Sequence, residues 1–413
     1  MKQTNIFILL LFFSVQVFAQ ERNLSYYLEQ GKQNSPLLKD YQNQLLAAKI
    51  DSQRLRAAYG TQVNGVSNNT YAPLIHGIGY DNAITNGGQV SALVTATKEL
   101  NGRKWLGNQL QGIHIQNQGT ANTAKISEQE LKKNISAQYI TAYGDWAQYS
   151  FNTEVLSLLK EEEMILKKLT QTGTYKQVDY LTFLVTMQRQ ELLAGQILAQ
   201  YQLDFAQLNY LSGIADTSFS PIADPAPVME HLPSLENTVF YQQFQIDSLQ
   251  LKNTDAGINL AYRPKINLYT DGGFNSTLAV DPYKNWGISA GLSLVIPIYD
   301  GRQRKMQHDE VAISEDTRKN YQDFFSRQYH QQIRQLLQQL QSAQQLIERA
   351  GKQLTYAEGL MQANKQLLVK GDVRIADYVI AINNYLDAKN IITQNIINKY
   401  QLINQVNYWN SVN

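Results

Sequence analysis

"WGISAGLSLVIPIYDGRQR", residues 286–304, changes character partway along. Trp286, Ile288, Ala290, Leu292, Leu294, Ile296 and Ile298 put an apolar or aromatic side chain at every even position. Gly287, Ser289, Gly291 and Ser293 alternate with them, and Val295 is the exception. A period of two is that of a strand with one apolar face. Pro297, the Asp300-Gly301 pair and a basic run then open a proline-free stretch that reads as helix from about 304 to 369. The pattern predicts a strand over 286–298 feeding directly into a very long helix.

Composition narrows what such a chain can be. Its 413 residues include 36 basic and 35 acidic side chains, and this near-neutral balance gives no reason to expect a nucleic-acid partner. With no cysteine, disulfides, thiolate chemistry, Cys-ligated zinc and an N-terminal lipid on cysteine are excluded. The opening "MKQTNIFILLLFFSVQVFAQ" has Lys2, an apolar core from Ile6 to Phe13 and a Val17-Phe18-Ala19 ending. This is the layout of a secretory signal peptide over 1–19. Its apolar run is shorter than the ~20 residues a spanning helix needs. No later segment is apolar enough for a membrane helix, so the mature chain is expected to be either soluble or a β-barrel protein, whose strands hydropathy does not reveal.

The chain reads as two copies of one unit. "GTYKQVDYLTFLVTMQ" from Gly173 aligns with "GDVRIADYVIAINNYL" from Gly371, matching Asp179 to Asp377 and Tyr180 to Tyr378 at a shift of 198. "QLNYL" at Gln207 matches "QVNYW" at Gln405, "NGRK" at Asn101 matches "DGRQ" at Asp300, and "AYGTQVN" at Ala58 matches "AYRPKIN" at Ala261. The first repeat is placed at 20–211, with a hairpin at about 61–100 and a long helix at about 103–170. The second is placed at 237–413, with a hairpin at about 264–299 and a long helix at about 304–369. Between them, 212–236 is a connector holding four of the nine prolines, Pro221, Pro225, Pro227 and Pro233.

Ile333, Leu336, Leu340, Ala343, Ile347, Ala350, Leu354, Ala357, Met361, Asn364 and Leu368 step by three and four, a sustained heptad seam. Leu131, Ile135, Tyr139, Ala142, Trp146, Tyr149 and Leu156 repeat it more loosely. Each long helix comes to about 100 Å, and the shorter ones, near 24–59 and 178–211, to about 50 Å. A strand over 286–298, tilted by about 45°, covers the ~30 Å of a bilayer core. On that reading Trp286, Ile288, Leu292, Leu294 and Ile296 face lipid, and Val90, Ala92, Val94 and Ala96 do the same on an earlier strand. Alternation also fits a half-buried soluble sheet; the export signal and the helices favour the membrane. Four strands cannot close a barrel, so several copies must share one: two would give eight strands and three twelve, between which the residues do not choose.

With "GLSLVIPIYDGRQR", its echo "VTATKELNGRKW" and the turn segment Gly371–Leu386 in view, the whole mature chain resembles the TolC-like outer-membrane efflux proteins. The resemblance implies a mainly α fold with membrane β: a homotrimer forming a twelve-stranded barrel in the outer membrane, continued by a helical coiled-coil tunnel in the periplasm. It implies a passive exit duct for small molecules or proteins, with no cofactor and no enzymatic activity. Its implied partners are a periplasmic adaptor, an inner-membrane transporter of the RND or ABC class, and outer-membrane lipid. The turns at Gly173 and Gly371 become the periplasmic mouth, where the family carries a ring of aspartates. Asp377 matches the first of the family's two; the second is Ile380 here, and Arg374 lies one residue from the family's arginine. Asp179, Tyr180 and Tyr378 complete the expected constriction, with Arg374 and the Tyr378 hydroxyl as donors to Asp377. An acidic side chain in a first helical turn also simply suits the helix dipole.

Other chemistry is weakly signalled. His76, His114, His231, His308 and His330 show no metal-ligand spacing. Glu161-Glu162-Glu163 is expected on a solvated helix face, and "NAITNGG" (82–88) in the outward loop of the first hairpin. The Gln-rich "QQIRQLLQQLQSAQQ" reads as coiled coil with an uncharged wet face. A trimeric adhesive or structural coiled-coil protein is the alternative, but helices that double back at Gly173 and Gly371 favour a tunnel.

Overall fold

Ser35 and Pro36 set the first structural boundary. Pro36 lacks an N–H and starts a helix well but cannot continue one. Ser35 is extended (ψ 115°), and its Oγ accepts from Leu38 N at 3.3 Å. The single helix expected near 24–59 is therefore two, α1 (Leu24–Asn34) and α2 (Pro36–Ala58). The computed structural model describes residues 22–73, 75–79, 88–216, 218–277 and 281–410. The expected signal peptide at 1–19 and residues 82–87 of the first hairpin loop lie outside them.

After α2 come β1 (Gln62–Tyr71), β2 (Gly88–Glu99), α3 (Arg103–Gln171) and α4 (Gln177–Leu211). Residues 218–234 contain no helix or strand; then follow α5 (Val239–Ala261), β3 (Lys265–Ser276), β4 (Trp286–Val295), α6 (Gln303–Lys370) and α7 (Ile375–Tyr408). Short 3-10 turns at Leu235–Asn237 and Pro282–Lys284 complete the described elements. Helices α3 and α6 run 69 and 68 residues without a proline to interrupt them. Among the described residues no helix is long and apolar enough to cross a membrane.

The chain divides into two compact units. One comprises 1–34, 131–228 and 340–404; the other comprises 35–130, 229–339 and 405–413.

In the first unit, the aromatic cluster of Tyr27, Tyr139, Tyr201 and Phe205 is fully buried, with Trp146 packed against it. The Pro-rich connector is tied to that cluster. Ile222 is buried in it, Tyr139 Oη donates to Ala223 O at 2.9 Å, and Tyr201 Oη donates to Ser220 O. Ala343, Ala350 and Ala357 on α6 are all buried, so the small side chains of the seam sit where neighbouring helices come close. Gly144 on α3 plays the same part, because a Cβ there would stand 3.0 Å from Ile397.

The second unit holds one four-stranded antiparallel sheet in the order β1-β2-β3-β4. The two hairpins join through β2 and β3, from Val90 opposite Ser276 to Glu99 opposite Asn267. β4 is shorter than expected. Its ladder ends at Val295 opposite Lys265, because Pro297 has no N–H to offer and residues 296–300 leave regular structure. The turn into α6 is held by Asp300, whose carboxylate accepts from Arg302 N at 2.9 Å and Arg304 N at 2.7 Å. Asn101, at the matching point before α3, joins the hairpins instead. Its Oδ1 accepts from Ile266 N at 3.0 Å and its Nδ2 donates to Pro264 O.

Asn101→Ala removes both of these bonds at the strand–helix junction. It should cost about 1–2 kcal/mol of stability, seen as a lower melting temperature by circular dichroism with the helical signal intact. An unchanged melting temperature would mean that the Asn101 bridge does not hold the hairpins together.

Candidate functional site

Two helix ends and one sheet carry the residues singled out above. Both long helices of the chain stop in the same way. Gly173 (φ +81°) follows α3, with Thr174 N bonded to Leu169 O at 2.9 Å and Gly173 N to Thr170 O at 3.1 Å. Gly371 (φ +80°) follows α6, with Asp372 N to Leu367 O at 3.0 Å and Gly371 N to Leu368 O at 3.1 Å. These are paired 6→1 and 5→2 closures that need a left-handed residue, which glycine provides without a Cβ clash.

The two turns touch within the first unit. A Cβ on Gly371 would meet Thr174 Cγ2 at 3.0 Å. The Tyr175 hydroxyl lies 2.8 Å from Leu368 O and 2.9 Å from Val373 O, bridging the end of α6 to the start of α7. Beneath it Leu166, Phe183, Leu368, Ile375 and Ile382 form a dry cluster.

Arg374 lies beside Asp377. Nε and Nη2 each donate to one carboxylate oxygen at 2.9 Å, which holds Asp377 below the usual carboxylate range. That hydrogen bond also raises Arg374, with the fields of Asp377 and of Asp179 on the first turn adding to it. Tyr378 is not a donor to this group. Its ring is 3% exposed inside the dry cluster, and burial together with the charge of Glu162 raises its phenol pKa. Tyr180 donates to Glu163 rather than towards Asp179, which pushes its phenol up to about 12. Ile380 is 56% exposed on α7.

The glutamates of 161–163 do not share one solvated face. Glu161 is exposed, Glu163 receives Tyr180, and Glu162 is 1% exposed and paired with Lys365 Nζ at 2.8 Å. Glu162 falls at i+3 from buried Leu159 and i−4 from buried Leu166. The spacing to Leu159 and Leu166 thus carries the inward signal, whereas the seam through Tyr149 and Leu156 steps to Glu163. Nothing in sequence marks Tyr175, whose role depends on which backbone carbonyls come near it.

Deeper in the same unit, Asp145 on α3 faces Asp204 on α4. Gln138 and Gln200 donate to the Asp204 oxygens at 2.9 and 2.6 Å. Burial, then the hydrogen bond and charge of Asp204, push Asp145 up to about 7. Burial also opposes ionisation of Asp204, but the bonds from Gln200, Asp145 and Gln138 outweigh it and lower its pKa.

In the second unit, the register sorts the sheet into two faces. Trp286, Ile288, Leu292 and Leu294 of β4 stand opposite Phe274, Gly272, Leu268 and Ile266 of β3, and Val90, Ala92, Val94 and Ala96 of β2 continue that row. Gly287, Ser289, Gly291 and Ser293 share the other face with Asp271, Tyr269 and Asn267, where Ser289 Oγ donates to Asp271 at 2.8 Å. Ile288 is 90% exposed, Trp286 71%, Leu292 68% and Leu294 60%. Ile296, beyond the strand, is exposed as well. A contiguous apolar surface of this kind marks a site that something else covers. β1 and β4 end the sheet, each with an outer edge that no strand among the described residues pairs.

No family model matches the chain, and no curated protein is significantly similar to it. Solved structures are. The outer membrane protein VceC from Vibrio cholerae superposes with a TM-score of 0.76 at 12% identity, over 94% of this chain and 96% of that one. The Campylobacter jejuni CmeC outer membrane channel gives 0.73 at 12% identity, over 94% and 85%. CusC, described in relation to transmembrane channel formation, gives 0.75 at 13% identity, over 95% and 93%. The chain therefore has the fold of the TolC-like outer-membrane channels.

Because its folded pKa lies above its ordinary 3.8, Asp145 favours the folded state at low pH and loses that contribution as pH rises from about 4 to 7. Asp204, lowered, acts only below about 4 and so leaves that window to Asp145. Asp145→Asn should flatten the fall in melting temperature between pH 4 and 7 relative to the unsubstituted protein. Parallel curves would show that the pair does not share a proton.

Proposed function

We propose that this chain is the outer-membrane exit duct of a tripartite efflux or secretion system, a passive channel with no catalytic role. One observation carries the reading: a sheet with an exposed apolar face and two unpaired edges is fed by helices of 69 and 68 residues. A sheet embedded in lipid must satisfy every N–H and C=O, so the edge of β4 needs β1 of another copy. Three copies give a barrel of twelve strands, and their helices continue it as a tunnel across the periplasm. The fold shared with VceC, CmeC and CusC supports the reading.

In this assembly the even face of β4 meets lipid, and the face with Ser289, Ser293 and Asp271 lines water. The turns at Gly173 and Gly371 form the periplasmic mouth, and a threefold axis gathers three Asp377 side chains around the pore. Each carboxylate keeps its own Arg374, so the ring is partly neutralised. Ile380 adds an apolar contribution one turn along. A periplasmic adaptor and an inner-membrane transporter complete the export path.

The mature protein should fractionate with the outer membrane and migrate as a trimer in mild detergent; recovery as a soluble monomer would end the membrane reading. Leu292→Arg should cost about 2–4 kcal/mol of barrel stability, whereas Ser293→Arg should fold and change conductance. Equal tolerance of the two would reverse the assignment of faces. At the mouth, Asp377→Ala should lower cation selectivity and Ile380→Asp should raise it, read as reversal potential across a planar bilayer under a salt gradient. If neither moves it, these residues do not line the constriction.

A further inference from the structure

The chain as a whole balances its charges, but the points where it passes between helix and strand do not. Segments 54–61, 98–105, 262–266 and 299–306 together hold ten basic residues and two acidic ones. The loop end of the sheet differs in sequence: 72–87 and 277–285 contain Lys284 alone against Asp81 and Asp281. Lys284 is in turn paired with Asp281 at 2.9 Å.

Of the two acids of the helix-side rim, Asp300 is engaged with backbone, accepting from Arg302 and Arg304. The Glu99 carboxyl lies against Gly102, where a Cβ would meet it at 2.9 Å. Lys98, Arg103, Lys104, Lys265, Arg302 and Lys305 are exposed and form no ion pair among the described residues. Arg304 is held in place by Asn259 Oδ1 at 2.7 Å and by the Tyr262 ring, 5.7 Å from its guanidinium.

Three further observations bear on the rim. Lys98 belongs to the apolar face of the sheet, in register with Leu268 and, through it, Leu292. A lysine there can lay its aliphatic stem along the apolar row and put its ammonium at the border. Arg302 has φ +68° directly after Gly301 at φ +65°. A glycine or asparagine would hold that turn with less strain. Tyr59 against Trp105 (centroids 5.3 Å), Tyr262 and the exposed Tyr299 supply rings at the same level. Amphipathic rings favour that depth at a membrane border.

We propose that this rim docks on the phosphate headgroups of anionic phospholipids in the leaflet on the helix side of the sheet. The inference rests on the membrane reading given above. Basic clusters beside a membrane-spanning segment attract an anionic leaflet over roughly a Debye length, about 8 Å at physiological salt. They also fix how deep the sheet sits: Lys98 and the aromatic rings mark the border, and Arg103, Lys104, Arg302 and Lys305 lie just outside it.

The full mature chain would be folded into vesicles of phosphatidylethanolamine alone and into vesicles with a quarter of phosphatidylglycerol. Insertion would be read by protease protection and stability by melting temperature. Insertion and melting temperature should both be higher with the anionic lipid, and the difference should vanish in about 1 M salt, where screening is nearly complete. Arg103→Gln, Lys104→Gln, Arg302→Gln and Lys305→Gln should each reduce the preference about fivefold. Arg103→Lys with Arg302→Lys should keep it, which separates charge from folding defects. Equal insertion and melting in both vesicles, or an equal rise from inorganic phosphate alone, would overturn the headgroup site while leaving the barrel intact. Failure to insert into either vesicle would instead overturn the membrane reading itself, and this inference with it.

Discussion

The outer edges of β1 and β4 carry backbone N–H and C=O groups that no strand among the described residues pairs, and the sheet is constrained by that incompleteness. In water such an edge bonds solvent and risks aggregation; in an apolar medium each unpaired group costs several kcal/mol. The exposed row from Trp286 to Leu294 lies directly on this sheet. A surface that water disfavours and an edge that lipid disfavours are reconciled together only when several copies share one closed sheet. On the proposed reading, the monomer is therefore a fragment of its functional form.

The junctions below the sheet meet a different demand. Backbone direction must change from strand to helix within a few residues, and the two halves use different side chains to do it. Asp300 turns its carboxylate onto the N–H groups at the start of α6, while Asn101 uses its amide to hold β3 in place. A carboxylate suits a helix start because it satisfies open donors and the dipole together. An amide suits a bridge because it both donates and accepts. Whatever these two side chains bond, the junction segments still carry ten basic residues against two acidic ones.

At the C-terminal ends of the long helices, within the first unit, polar groups are enclosed. Glu162 is buried with Lys365 for a partner, and the Tyr175 hydroxyl spans two carbonyls of the opposite turn. A buried carboxylate left alone would lose several kcal/mol of hydration, so the ion pair chiefly offsets a cost. Only one Glu162 oxygen meets Lys365; the other is buried without a hydrogen-bond partner among the described residues, so the offset is partial. The Arg374–Asp377 pair beside it is exposed and contributes little to stability. That leaves it free to serve the mouth of the proposed channel.

Periodicity was legible in the residues themselves. The period of two over Trp286–Val295, the three-four seam from Ile333 to Leu368 and the glycines at 173 and 371 each express a local backbone geometry. Local geometry is what a short stretch encodes. The seam residues are all buried or half-buried, as that phase requires. What needed the tertiary structure was every question of partnership. Pro297 was visible as a limit to β4, but that its last pair is Val295 with Lys265 needed the register of the sheet. Tyr378 looked like a neighbour of Asp377, yet a residue one step along a helix points about 100° away, and here that direction is the core. Glu162 looked solvated beside two other glutamates, and only the approach of α6 with Lys365 made its inward position tolerable. Sequence determines which face of an element is apolar because burial follows spacing. Which elements share that face is settled only when the whole chain has packed, because contacts between residues nearly two hundred positions apart have no local signature.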